Sequence, residues 1–137
     1  MTSATRTSRR PKIVMMEADH VRLTRLAAAA ASRMPEVSDY LSVELERAKI
    51  VRRGQVPAKL VTMGSTLTFR DAQRGRTERV TLVFPEDANI EEKRISVLTP
   101  VGAALIGLTE GQSITWPNRT GEIHCLQVLS VEDTVTA

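Results

Sequence analysis

The chain has 137 residues, a formal net charge of +3 at pH 7 and a hydrophobic fraction of 42%. This length suffices for one domain with an appendage, or for two small units, whose core needs no metal or disulfide. Aromatic residues make up only 3% of the chain, which argues against a ligand pocket lined with rings. Cys125 is the single cysteine, so an intrachain disulfide is excluded, and we expect an inert core thiol in a reducing cytoplasm.

Residues 1–12, MTSATRTSRRPK, carry arginine and lysine among serine and threonine. This composition is typical of a solvated, disordered basic arm, and a weak, nonspecific contact with nucleic acid is the alternative. Only the short apolar run IVMM follows, which lacks the pattern of a signal peptide. No stretch approaches the roughly 18 apolar residues of a membrane span, so we expect a cytoplasmic protein with no membrane contact.

Helical periodicity dominates residues 13–54. Residues 17–33 and 35–53 are each predicted to form a helix with a narrow apolar stripe. The stripe residues are Leu23, Leu26 and Ala30 in the first helix and Val37, Leu41, Leu45 and Ala48 in the second. Pro35 separates the helices and Gly54 is the expected stop of the second. Because so short a connection makes the helices antiparallel, residues 13–54 are predicted to be a short two-helix coiled-coil hairpin.

After Gly54 the sequence consists of short runs that alternate between apolar and polar residues. The segment VPAKLVTMG is predicted to be a linker, and strands are predicted in STLTFR, RVTLVF, RISVL, QSITW and EIHCLQVLSVE. A turn at Gly75 joins the first two strands, and a β-bulge or a change of the exposed face is expected near Cys125 to Gln127. A short helix is expected in TPVGAALIG. The chain is therefore predicted to be α+β, with a mostly antiparallel β domain and one short helix over residues 55–137.

Three glycines, Gly102, Gly107 and Gly111, raise the question of a phosphate-binding loop. Their spacing is G-x4-G-x3-G without a Gly-Lys-Ser/Thr sequence, whereas a phosphate loop needs backbone N–H groups that converge on an anion. Thr99 and Pro100 instead have the pattern of a helix N-cap followed by proline at the first helical position. Gly107 is predicted to be the left-handed residue that follows this helix. The glycines are therefore assigned to turns and packing.

Several segments resemble a known family. VTMGSTLTFRD, ISVLTPVGAALIGLTEGQSI and the last strand are similar to the C-terminal domain of Gre-type transcript cleavage factors of bacterial RNA polymerase. LSVELERA, VTM and PVGAALIGL resemble more closely the sister family called regulator of nucleoside diphosphate kinase. The resemblance implies a coiled-coil arm on an FKBP-like domain over about residues 13–133. It also implies that the domain docks at the rim of the polymerase secondary channel through Thr99, Pro100 and Val101, while the arm enters the channel.

The predicted arm tip contains Met34, Glu36 and Asp39. In the Gre-type cleavage factors two acidic residues at the tip help to hold a catalytic magnesium ion of the polymerase, and Glu36 and Asp39 would lie on one face of the helix start. Acidic residues are also expected there from the helix dipole. A helix of about 17 residues spans roughly 25 Å, and the cleavage factors have longer arms, so the resemblance favours a tip that does not reach the active centre.

These observations predict a non-catalytic regulator that binds RNA polymerase as a monomer and uses no cofactor or metal of its own. Transcript cleavage supported by the tip carboxylates is the alternative. Prolyl isomerisation is a further alternative, but active enzymes of the FKBP type have a pocket rich in aromatic side chains. The last alternative is nonspecific, salt-dependent nucleic-acid binding through the basic arm and Arg74, Arg76 and Arg79.

Overall fold

The computed structural model describes residues 11–117 and 123–132. Within this part of the chain, no helix has both the length and the apolar composition needed to cross a membrane. The strands are β1 (Val14–Met16), β2 (Lys49–Val51), β3 (Thr66–Asp71), β4 (Arg76–Val83), β5 (Arg94–Ser96), β6 (Ser113–Pro117) and β7 (Ile123–Val131). The α-helices are α1 (Glu17–Ala30), α2 (Pro35–Arg47) and α3 (Pro100–Leu105), and short 3₁₀ turns cover Arg53–Gln55, Pro85–Asp87 and Ile90–Glu92.

Helices α1 and α2 form the antiparallel hairpin that the sequence predicts. His20 Nε2 lies 2.9 Å from Leu45 O, and Ser38 Oγ donates a hydrogen bond of 2.7 Å to Ala27 O, so the two helices run in opposite directions. The stripe that joins them is buried at Leu23, Ala27, Ala30, Leu41 and Leu45. The small side chains of Ala27 and Ala30 allow this close approach, whereas Ala28, Ala29 and Ala31 of the same run are exposed.

Helix α2 ends at Arg47, so the prediction that it continues to residue 53 and stops at Gly54 is wrong. Ala48 is already extended (φ −72°, ψ 142°). The next three residues form β2, which pairs in parallel with β1, and Lys49 N donates to Ile13 O at 3.0 Å. The β-branched residues of β2 favour this extended backbone. The two helices separate β2 from its partner β1 in the chain, so no local periodicity of the sequence reveals this pairing.

The five-stranded sheet has the order β5-β4-β3-β7-β6. Its pairs are antiparallel except β4 and β5, which are parallel. The α+β fold with a mostly antiparallel sheet and one short helix is therefore confirmed, while the parallel edge was not predicted. Helix α3 shares one buried cluster with a single face of the sheet. This cluster includes Leu67, Phe69, Val80, Leu82, Ile114, Leu126 and Val128 from the strands and Ala103, Ala104 and Leu105 from the helix.

Two predictions about β7 are wrong. The CLQ segment pairs in regular register with β6, and the register with β3 instead shifts between Ser130 and Val128, which leaves Leu129 as the extra residue. Cys125 is half-buried and alternates with the buried Leu126. Because neighbouring strand residues point to opposite faces, Cys125 lies on the sheet face away from the core, and it is not a core thiol.

The segment VPAKLVTMG is not a free linker. Leu60 and Val61 are buried. Val61 N donates to Leu108 O at 2.8 Å, Gly107 N donates to Val61 O at 3.0 Å, and Leu60 pairs with Thr109. The linker interpretation is therefore wrong for these residues, because their apolar side chains pack beside the end of α3.

The base of the hairpin shares the core of the sheet, whereas its tip is exposed. Leu23, Leu41 and Leu45 belong to the same buried cluster as Leu67, while every residue of 31–36 is exposed. Because the two units share one core, the structure does not separate them as domains. The division into a hairpin (13–54) and a β domain (55–137) stays a proposal.

Residues 1–10 of the predicted basic arm lie outside the described part of the chain, so that prediction stands there untested. The last two residues of the arm are held in place. Arg47 Nη1 donates to Pro11 O at 2.6 Å, and Gln112 Nε2 donates to Lys12 O at 3.3 Å. The disorder predicted for residues 11 and 12 is therefore wrong.

Candidate functional site

The turn before α3 is fixed by a side-chain cap. Thr99 is the extended N-cap residue (φ −113°, ψ 158°), and its Oγ1 accepts a hydrogen bond of 3.0 Å from Gly102 N. The same hydroxyl donates to Ser96 O at 2.7 Å, and Ser96 Oγ accepts from Leu98 N at 2.9 Å. Pro100 occupies the first helical turn, where a missing N–H leaves no helical bond unmade. The cap predicted from the sequence is confirmed.

Glycine allows α3 to lie directly against the chain that enters this turn. A Cβ added at Gly102 would lie 2.2 Å from Ser96 O and 2.9 Å from Val97 Cα. Gly107 has the predicted left-handed conformation (φ +87°), and a Cβ there would lie 2.9 Å from Ile13 Cβ. Packing and backbone conformation therefore account for both glycines.

The capped turn presents a small apolar surface. Pro100 is exposed, whereas Thr99 and Val101 are half-buried and Val101 packs against the core. The helix behind them is buried from Gly102 to Leu105. A turn held in this way can contact a partner at a small cost in conformational entropy. The structure thus brings the three predicted docking residues together, and their docking role stays a prediction.

The hairpin tip carries the other predicted site residues. Met34, Glu36 and Asp39 are exposed. The tip turn is closed by backbone bonds from Met34 N to Ala30 O at 2.8 Å and from Ser38 N to Met34 O at 2.9 Å. Within residues 11–117 and 123–132, no group of three or more His, Cys, Asp or Glu side chains could hold a metal ion. A role of Glu36 and Asp39 at a metal that a partner holds stays a prediction.

The hairpin is shorter than the sequence suggested. Helix α1 has 14 residues and α2 has 13, so each spans about 20 Å. The prediction was about 17 residues and roughly 25 Å.

Side chains near the start of α1 attach the hairpin to the body. The Arg22 guanidinium lies 3.8 Å from the centroid of the Phe84 ring and 3.6 Å from Glu86 Oε2. Asp19 Oδ2 accepts a hydrogen bond of 3.2 Å from Met63 N. Burial raises the pKa of Asp19, and the Met63 bond and the Arg22 charge only partly oppose this rise. These contacts leave no local pattern in the sequence, because each joins segments that are far apart in the chain.

A buried ion pair lies near the end of α2. Glu44 is fully buried, and Arg47 donates to both of its carboxylate oxygens, from Nη2 at 2.8 Å and from Nε at 3.0 Å. Glu44 is not one of the apolar residues from which the stripe of α2 is predicted, so its burial is not expected from the sequence. The i,i+3 spacing of glutamate and arginine in ELER is the signal that could have indicated the pair.

The arginines proposed for nucleic-acid contact are partly neutralised. Arg74 Nε lies 4.0 Å from Asp71 Oδ2, and Arg79 donates to both carboxylate oxygens of Glu132, at 2.5 and 2.8 Å. This hydrogen bonding raises the pKa of Arg79 and lowers the pKa of Glu132. Arg76 is exposed. Carboxylates thus reduce the positive field of this surface, and the nucleic-acid contact stays a prediction.

The two parts of the chain match two family models. Residues 56–133 match the model described as transcription elongation factor, GreA/GreB, C-term, and residues 11–51 match the model described as Rnk N-terminus. The first match places the β domain and its capped turn in the class of transcription elongation factor C-terminal domains. The second match covers the hairpin together with β1 and β2.

Individual relatives agree with these matches. The regulator of nucleoside diphosphate kinase of Escherichia coli (strain K12) is 36% identical over 123 residues, which cover 90% of this chain and 90% of that protein. The transcription elongation factor GreA of Nitratiruptor sp. is 35% identical over 112 residues, which cover 82% of this chain and 65% of that protein.

Among solved structures, the prokaryotic transcription elongation factor GreA/GreB from Nitrosomonas europaea is 36% identical, with a TM-score of 0.68 and coverage of 88% of this chain and 98% of that chain. The chain belongs to the regulator of nucleoside diphosphate kinase family, which is related to the GreA/GreB factors. The family resemblance inferred from the sequence motifs is therefore confirmed. The relatives of this chain named above are a regulator and transcription elongation factors.

Proposed function

We propose that this protein regulates transcription by binding RNA polymerase at its secondary channel, without catalysing a reaction of its own. The β domain docks at the channel rim through Thr99, Pro100 and Val101, and the hairpin enters the channel. The protein acts as a cytoplasmic monomer that competes with other channel-binding factors. Any effect on nucleoside diphosphate kinase follows indirectly, through altered transcription.

The short hairpin is the observation that carries this proposal. A GreA/GreB-type C-terminal domain supplies the docking body, while the helices above it span only about 20 Å with 14 and 13 residues. A hairpin of this length occupies the channel entrance but does not reach the active centre of the polymerase. Its effect is therefore to exclude longer factors.

The capped turn supports the docking part of the proposal. Pro100 is exposed on a backbone that Thr99 fixes through two hydrogen bonds of its hydroxyl group. A rigid apolar projection of this kind is suited to a central contact, because its geometry is set before binding.

Binding to purified RNA polymerase tests the docking surface. Pro100→Asp should weaken binding at least about tenfold, because a charge is placed where an apolar contact is lost. Aspartate is favourable in a first helical turn, so the fold should survive, which circular dichroism would check. Pro57→Asp is the matched control, since Pro57 is also exposed but belongs to the segment before β3 and not to the turn. Equal binding by the two variants would contradict the proposal.

Transcript cleavage is the alternative, and the exposure of Glu36 and Asp39 at the tip favours it. Backtracked transcription complexes distinguish the two functions. We expect that the protein alone leaves the transcripts at full length and slows their shortening by an added cleavage factor. Shortening by the protein itself, abolished by Glu36→Ala with Asp39→Ala, would establish the alternative.

A further inference from the structure

Ile90 is the most exposed large apolar side chain in the described part of the chain. It is 84% exposed, whereas the other exposed large apolar side chains keep more than half of their surface covered. Single exposed apolar residues are common on protein surfaces, so exposure alone assigns no role. The way in which Ile90 is held and the charge around it supply the further evidence.

The loop between β4 and β5 holds Ile90 in a fixed position. Asn89 and Arg94 exchange two backbone hydrogen bonds of 2.9 Å, and Asn89 Oδ1 accepts from Glu92 N at 3.3 Å. Lys93 is left-handed (φ 60°), and its N donates to Ile90 O at 3.0 Å. The backbone of such a closed turn loses little conformational entropy when a partner covers it.

The loop that carries Ile90 is acidic. Its exposed carboxylates are Glu86, Asp87, Glu91 and Glu92, which outnumber Lys93 and Arg94, the two cationic residues of the same loop. Glu92 pairs with Arg94 at 2.8 Å and Glu86 lies 3.6 Å from Arg22, while Asp87 and Glu91 have no ion-pair partner among the residues that the structure describes. A negative surface of this kind repels nucleic acid and attracts a basic protein surface.

Ile90 and the capped turn flank the same edge of the sheet. Strand β5 is the edge strand and has three residues, so it spans about 10 Å. The turn Ile90–Glu92 lies just before this strand, and Thr99 lies just after it. One partner surface that covers this edge can therefore contact both Ile90 and Pro100.

We infer that Ile90 is a second anchor of the docking surface, and this inference rests on the function proposed above. Its occupant is a site on RNA polymerase, an apolar pocket that lysine or arginine side chains border. Ile90 fills the pocket, and Asp87 and Glu91 face its basic rim. The apolar contact slows dissociation, and the carboxylates accelerate association.

Binding of the labelled full chain to purified RNA polymerase tests this anchor. Ile90→Ser should bind about tenfold more weakly, as expected for truncation of a central apolar contact. Ile50→Ser is the matched control, since Ile50 is 48% exposed on β2, and it should bind within about twofold of the parent. Thermal unfolding of both variants verifies the fold.

The charge around the anchor is tested separately. Glu91→Lys should associate about threefold more slowly, with a smaller loss of binding when salt is added. If Ile90→Ser binds like the parent while Pro100→Asp binds weakly, the anchor is refuted and the proposed function stands. If the parent protein does not bind polymerase at all, both the function and the anchor are refuted.

Discussion

The capped turn and the hairpin tip are both exposed to a partner, but they are held in different ways. The turn is fixed by the Thr99 hydroxyl group and by the contact of Gly102 with the chain before it. At the tip, residues 31–36 and Asp39 are exposed, and the nearest buried hydrogen bond between the helices runs from Ser38 to Ala27. Substitutions of the residues that hold the turn, Thr99 and Gly102, should therefore change stability and binding together, whereas substitutions of the exposed Pro100 or of the tip should change function alone.

The attachment of the hairpin forms the second half of this comparison. Arg22, Asp19 and the pair of Glu44 with Arg47 act at its base, where charged side chains add to the backbone pairing of β1 with β2. The base should therefore respond to changes of charge and pH, to which the turn is insensitive. The following four changes probe this difference, in order of decreasing effect.

Gly102→Ala should have the largest effect, because its new Cβ would overlap Ser96 O at 2.2 Å. The helix must move away from the chain before the turn, and we expect a loss of about 3 kcal/mol in the free energy of unfolding. Urea denaturation would measure it. Gly54→Ala is the control, since no atom lies within 4 Å of its Cβ. Similar losses for both variants would show that the turn is not tightly packed.

Arg47→Met should cost about 2 kcal/mol, because it leaves the buried carboxylate of Glu44 without its guanidinium partner. The loss is smaller than for a fully buried pair, since the Arg47 side chain is 25% exposed. The double variant Glu44→Leu with Arg47→Met should recover part of the stability in the same denaturation measurement. A double variant less stable than Arg47→Met would contradict this explanation.

Thr99→Ala should cost about 1 kcal/mol, the usual value for the loss of an N-cap side chain. Thr99→Ser keeps the hydroxyl group that bonds Gly102 N and Ser96 O, so it should stay close to the parent protein. The two midpoints of thermal unfolding would be compared. Equal destabilisation by serine and alanine would mean that the methyl group, and not the cap, supports the turn.

Asp19 should give the smallest effect and the only one of the four that depends on pH. Burial raises its pKa above the ordinary value of 3.8, so the folded protein binds this proton more tightly than the unfolded chain. The stability that the group contributes is present at low pH and is lost as pH rises through the folded pKa. Compared with Asp19→Asn, the parent should gain about 0.5 kcal/mol or less on acidification from pH 7 towards 4. A parallel pH dependence of both proteins would exclude this role.

Local chemistry could be predicted from the sequence, and long-range contacts could not. The cap at Thr99, the proline after it and the left-handed Gly107 act within a few residues, so their pattern predicted the turn correctly. The pairing of β1 with β2 and the contact of Arg22 with Phe84 join distant segments without any local signal. The burial of Glu44 was missed for a different reason, since counting apolar positions treats every charged residue as exposed.

Strands β1 and β2 tie the chain together immediately before α1 and shortly after α2. The two ends of the hairpin are thus joined by strand pairing, whatever the number of helical turns between them. Adding seven residues to each helix would lengthen the hairpin by about 10 Å without altering the β1–β2 pairing or the five-stranded sheet. The length of the hairpin and its attachment to the β domain can therefore vary separately. Evolution could shorten or extend such a hairpin while the β domain keeps the same docking surface for its partner.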